Sequence, residues 1–127
     1  MKALLLMIAL TLTLVAGQHK AILLGPSYHV YEDLNNLTYG IGYEYEFANG
    51  IELHTGVYEN SYDRTSVAVG IGYAYHLTED ISVMTSVSYG TGYEALDSVM
   101  PLVSVQYKFV RVVTSYYVTN IQLIYEF

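Results

Sequence analysis

The chain has no cysteine. A disulfide framework, a thiolate nucleophile and a cysteine-ligated zinc site are excluded, so a small fold must be held together by other means. Tryptophan is also absent, proline occurs only at Pro26 and Pro101, and charged side chains make up just 13% of the 127 residues. With 53% hydrophobic residues and so little charge, intrinsic disorder is excluded too. Bases are the scarcest class, five against twelve acids, for a formal net charge of −7. No nucleic-acid partner is expected at that balance, and the length allows a single domain.

Met1 and Lys2 make a short basic start, residues 3–15 are apolar apart from Thr11 and Thr13, and Val15-Ala16-Gly17 offers small side chains to a peptidase. About fifteen apolar residues fall short of the roughly twenty that a spanning helix needs. The expectation is a signal peptide over residues 1–17, cleaved before Gln18, followed by one exported domain over 18–127. Loss of Lys2 leaves four bases against twelve acids, a formal charge of −8.

The remainder alternates. From Leu37 to Phe47 the odd positions are Leu, Tyr, Ile, Tyr, Tyr and Phe, and the even ones Thr, Gly, Gly, Glu and Glu. The same period recurs in Val67, Val69, Ile71, Tyr73 and Tyr75 against Ser66, Ala68, Gly70, Gly72 and Ala74, and again from Ile81 to Tyr93. Period two means strand, and no helix-period segment follows the leader. Turn-forming clusters predict strands over 20–31, 37–47, 51–59, 64–77, 81–93, 99–108, 110–118 and 121–127, with the last break at Thr119-Asn120. Most are near the nine to eleven or so residues of a tilted membrane strand.

Volume decides which face is outside. An eight-stranded barrel is narrow within, so several Val, Ile and Tyr side chains from every strand do not fit there. The small and polar set lines the interior, and the bulky set meets lipid, where only a closed sheet satisfies every backbone group. The expected fold is all-β: an eight-stranded antiparallel up-and-down transmembrane β-barrel. Tyr39, Tyr58, Tyr62, Tyr89, Tyr93 and Tyr116 near one rim, and Tyr45, Phe47, Tyr73, Tyr75, Tyr107, Tyr125 and Phe127 near the other, read as two interfacial girdles. An even strand count puts both termini in the periplasm of a bacterial outer membrane. A pore is disfavoured, because eight strands leave little room for water.

Among four histidines, His29 alone sits near the outer rim, and the third strand ends at that same rim with an amide and a hydroxyl, at Asn60-Ser61. His19 falls at the start of the mature chain, and His54 and His76 point inward by parity. No group of side chains has metal-ligand spacing. Turn chemistry alone also explains Asn60 and Asp63.

The stretch Gly56 to Tyr73, GVYENSYDRTSVAVGIGY, resembles a segment of the outer-membrane lipid A palmitoyltransferases, the PagP-type enzymes, in which an Asp-Ser pair precedes a strand ending in glycine-tyrosine-glycine. MPLVSVQY at Met100 to Tyr107 looks like the family's proline-led sixth strand, and SYHVY at Ser27 to Tyr31 like its first, which carries the catalytic histidine. The resemblance implies transfer of a palmitoyl chain from a phospholipid to lipid A, by a monomer that needs no cofactor. It implies that His29 is the base and Ser61 the essential hydroxyl, with Asn60 standing where the family has aspartate. Gly72, with Gly70 beside it, is implied to line the acyl-chain pocket, and Pro26 and Pro101 to open lateral routes for lipid by weakening strand pairing. The alternative is a noncatalytic small barrel acting in surface binding or receptor masking. A lumen cavity running from the rim towards Gly72 separates the two readings.

Overall fold

The period-two pattern is realised as eight strands in the computed structural model, which describes residues 1–4, 17–29, 38–60, 63–92, 98–116 and 118–127. They are β1 (Gly17–His29), β2 (Gly40–Phe47), β3 (Ile51–Glu59), β4 (Thr65–His76), β5 (Ile81–Gly90), β6 (Val99–Tyr107), β7 (Val110–Ser115) and β8 (Val118–Glu126). Each pairs antiparallel with its sequence neighbours, and β1 closes on β8, giving a closed barrel in the expected strand order. Most of the leader (residues 5–16), Ser61, Tyr62 and Tyr93 lie outside the described residues.

The outward face is apolar over the whole waist. Ile41, Val57, Val69, Ile71, Val87, Val105 and Ile121 are all exposed, Ile71 at 56%. Every second residue turns inward, and this set is small or polar: Gly42, Gly56, Ala68, Ser86, Ser88 and Ser104, with a few charges among them. The volume argument therefore holds, since valines and tyrosines stand outside and glycines and serines within.

One end of the barrel holds the tight connections at 48–50, 77–80 and 108–109, together with the start of β1 and the end of β8, and is called the terminal end below. Gly50 adopts φ +92° in the first of these turns, a conformation open to glycine and strained for other residues. The four remaining connections gather at the opposite, distal end.

Three expectations need correction. The last turn is not at Thr119-Asn120: β7 stops at Ser115, Tyr116 takes φ +31°, and β8 already runs from Val118. Asn120 instead repairs an irregularity in β1, where the β1–β8 register shifts by one residue between Leu24 and Ser27. Its amide donates to Gly25 O at 2.7 Å and Ser27 Oγ at 3.0 Å, replacing ladder bonds that the bulge and Pro26 remove. Tyr58 is not a girdle residue, because its register with Gly40 and Ser66 points it into the lumen. Tyr45 does belong to the outward set but is only 3% exposed, since His19 packs edge-on to its ring at 4.9 Å and Phe47 at 4.8 Å.

Candidate functional site

The inward face of the terminal half carries charge that the interior must neutralise. Arg111, at the start of β7, lays its guanidinium flat on Glu44 of β2, with Nη1 to Oε1 at 2.8 Å and Nη2 to Oε2 at 2.9 Å. This two-pronged pairing is the strongest geometry open to arginine and a carboxylate. Gln106 Oε1 accepts from Arg111 Nε and Nη2 at 3.2 and 2.9 Å, which fixes the plane of the fork. Lys20 of β1 lies 3.0 Å from Glu46 and 3.4 Å from Glu44, and is 2% exposed. Glu46 also meets His76 Nε2 at 2.5 Å, and the fully buried Glu52 meets His54 Nδ1 at 2.8 Å. A buried ion costs several kcal/mol unless partnered, and here every buried carboxylate has a basic group against it.

Above this network the lumen is open. A cavity of about 170 Å³ lies between the Glu44–Arg111 pair and the distal end. Ile22, Leu24, Met84, Met100, Leu102 and Val113 give it apolar walls, and Ser27, His29, Ser88 and Asn120 bring polar groups to it. His29 is the last residue of β1, paired with Val118, and is buried with its ring in the cavity wall. Of the described site candidates His29, Asn60, Gly70, Gly72, Pro26 and Pro101, it is the one that lines this open space.

Asn60 stands at the end of β3, fully buried and committed to the loops. Its amide donates to Ser66 Oγ at 2.9 Å and to Gly92 O at 3.0 Å, while its Oδ1 accepts from Arg64 N at 3.2 Å. Ser66 Oγ in turn donates to Thr91 O. Gly92, at φ +80°, has no room for a side chain, since a Cβ would stand 2.9 Å from Asn60 Nδ2. Asn60 therefore ties the β3–β4 connection, which carries Ser61, to the β5–β6 connection.

Gly70 and Gly72 face inward on β4 but are not among the described residues lining the cavity. The space above Gly70 is taken by the His54 ring, and a Cβ on Gly72 would stand 2.6 Å from both Glu52 Oε1 and Ser86 Cβ. These glycines make room for the polar network.

Pro26 and Pro101 both stand where a ladder is interrupted. Among the described residues the β1–β2 pairing ends at Leu24 and Gly40, just before Gly25 and Pro26. Thr38 Oγ1 bridges that seam to Ser27 Oγ and, at 3.4 Å, to Gly25 O. On the other side the β6–β7 pairing stops at Val103 and Thr114, and Ser115 Oγ donates to Pro101 O at 2.6 Å in place of a backbone amide.

The charged network was the part sequence reasoning missed. Its signal was present: Lys20, Glu44, Glu46, Glu52 and Arg111 all occupy positions whose parity matches the glycine and serine face. Among the described residues no group of acids and histidines is arranged to hold a metal ion.

No protein family's sequence profile matches the chain, and no curated protein sequence does. Among solved structures it is similar to the outer membrane protein Ail of Yersinia pestis, determined in a phospholipid bilayer nanodisc. The TM-score is 0.53 at 13% identity, over 88% of this chain and 100% of that one. At that identity the likeness is one of fold: a closed antiparallel β-barrel of eight strands.

Proposed function

We propose that this chain is an outer-membrane β-barrel, with its termini in the periplasm and its distal end outward, that moves an acyl chain from a phospholipid to a hydroxyl of lipid A. The membrane part of the reading is supported by the exposed Val, Ile and Tyr belt around a charged and glycine-rich interior. A water-soluble barrel has no use for that inversion.

The observation that carries the chemical part is His29, buried in the wall of a mostly apolar cavity at the distal end. As base, the imidazole takes the proton of the acceptor hydroxyl while that oxygen attacks the donor's ester carbonyl. The bond from the acyl carbon to the glycerol oxygen then breaks, and the same proton passes from His29 to the departing alkoxide. A new ester and a lysophospholipid result. Asn60 is a positioning residue in this scheme, holding the loop on which Ser61 supplies its hydroxyl. The seams at Pro26 and Pro101 are the routes by which a chain passes from the membrane to the lumen. The protein works as a monomer, with phospholipid and lipid A as its partners.

The test is mass spectrometry of lipid A from cells expressing the wild-type protein or His29→Ala. The wild type is expected to add one long acyl chain, and the variant to lose at least 100-fold of that product on the scale typical of acid–base catalysis, ~10²–10⁴. Equal acylation in the variant removes His29 from the mechanism, and no added chain with the wild type refutes the activity.

A second reading, a noncatalytic barrel acting at the cell surface, draws support from the ion network that fills the terminal half. An engineered cavity of ~150 Å³ accepts one benzene ring, so 170 Å³ holds much less than a palmitoyl chain. Unmodified lipid A together with loss of surface binding in a Tyr28→Ala, Tyr116→Ala double variant would favour it, since both tyrosines are exposed near the distal end.

A further inference from the structure

The resemblance puts the bottom of the acyl pocket at Gly72, yet Glu52 and Ser86 already occupy the space a side chain there would need. A chain descending from His29 meets a different floor. The lumen is crossed by the Glu44–Arg111 pair, whose charged atoms are bonded to each other and to Gln106, with Lys20 beside Glu44. An alkyl end gains nothing from that surface and stops at the apolar groups above it.

Met84 is the largest of these at that level. It is the second inward residue of β5 counted from the terminal end, one step above Ser82. Its ladder partners are Ala74 and Ser104, and the next inward position on β7 along the same row is Val113. Ala74 and Ser104 are small, so the flexible thioether is the longest side chain of that row to line the cavity. Met100 lies at the other end of the cavity, paired with Ser88 near the distal rim.

We propose that the lumen seats a medium-length alkyl chain, on the order of six to eight carbons deep, with Met84 as the residue that sets its depth. The inference rests on the acyl-transfer reading for the source of the chain, and it names the substrate class as acyl groups shorter than palmitoyl.

Methionine itself supplies the probe. Of four methionines, Met1 and Met7 fall in the leader, so Met84 and Met100 are those of the expected mature barrel, one at each end of the cavity. The protein, purified from membranes with ¹³C-methyl methionine and held in bilayer nanodiscs, is titrated with straight-chain alcohols from butanol to dodecanol. Butanol should shift the Met100 methyl alone, and hexanol and octanol both methyls. Dodecanol should bind no more tightly than octanol, since methylenes beyond the cavity gain no burial and the rise in affinity per carbon stops there. Met84→Ala should move the optimum about two carbons longer, in line with the side-chain atoms removed.

A Met84 methyl unmoved by every alcohol, or an optimum unchanged in Met84→Ala, overturns the proposal. If Met84→Ala does not fold, Ser86→Leu serves instead, because filling the space beside Met84 must shorten the optimum, and an unshifted optimum is equally fatal. The lipid A assay separates the two levels. Alcohol binding that follows this pattern, with no lipid A acylation, supports the depth assignment and refutes the acyl-transfer reading. A flat alcohol series with acylation intact refutes Met84 alone.

Discussion

Replacing Asn60 with aspartate, the residue of the palmitoyltransferase pattern, should destabilise this barrel. The orientation of the Asn60 amide is dictated by its surroundings: Arg64 N–H needs an acceptor, which fixes Oδ1, and Nδ2 is left facing Gly92 O and Ser66 Oγ. The serine cannot reverse roles, because its proton already goes to Thr91 O. Aspartate turns a double donor into an acceptor set against two acceptors, at a site with no exposure. Two lost hydrogen bonds at about 1 kcal/mol each, plus about 1–3 kcal/mol for acceptors left facing one another, give about 3–5 kcal/mol. Burial holds the added carboxyl above its ordinary value of about 3.9, so protonation restores one donor in acid. The folded-state pKa being raised, the deficit is small below pH ~4 and grows as pH rises through the folded value. Urea unfolding in detergent micelles at pH 4 and pH 7, with Asn60→Ala as the uncharged control, measures it. An Asn60→Asp barrel as stable as wild type at pH 7, or equally weakened at both pH values, would refute the assignment of donors.

Other substitutions probe the remaining parts. Glu44→Gln leaves Arg111 buried with half its partner gone and should cost about 3–5 kcal/mol by urea unfolding, whereas Glu44→Met combined with Arg111→Met should recover most of it. Only a deficit that persists in the double variant would deny that pairing is what matters. Ile71→Lys, at mid-strand on the outward face, should cost about 2–4 kcal/mol in a bilayer, but Ile51→Lys at the terminal end about 0–1. Equal costs at the two depths would count against a lipid-facing belt.

The architecture was legible because period-two alternation, side-chain volume and turn chemistry all pointed the same way. The Ala48-Asn49-Gly50 turn is where it was expected, since only glycine meets the φ of position 50 without strain. Thr119-Asn120 misled for an equally physical reason. Asparagine is favoured in turns because its side chain bonds to backbone groups, and here it does so within a strand, on the bulge at Gly25–Pro26. Nothing in the local sequence separates those two uses. Likewise the alternation gave the direction of Tyr58 only once the register was known, as the girdle reading relied on its nearness to a strand end. His29 was singled out by topology and does reach the cavity. The depth of that cavity was not legible, because it depends on a charge pair joining positions 67 residues apart.

That separation bears on how the sheet is completed. Glu44 arrives with the second strand and Lys20 with the first, but Arg111 belongs to the seventh. A nascent sheet lacking its last two strands carries Glu44 with Lys20 beside it but without Arg111. The fork of Arg111 thus works as a latch, since Glu44 gains its two-pronged partner only once the seventh strand is in place.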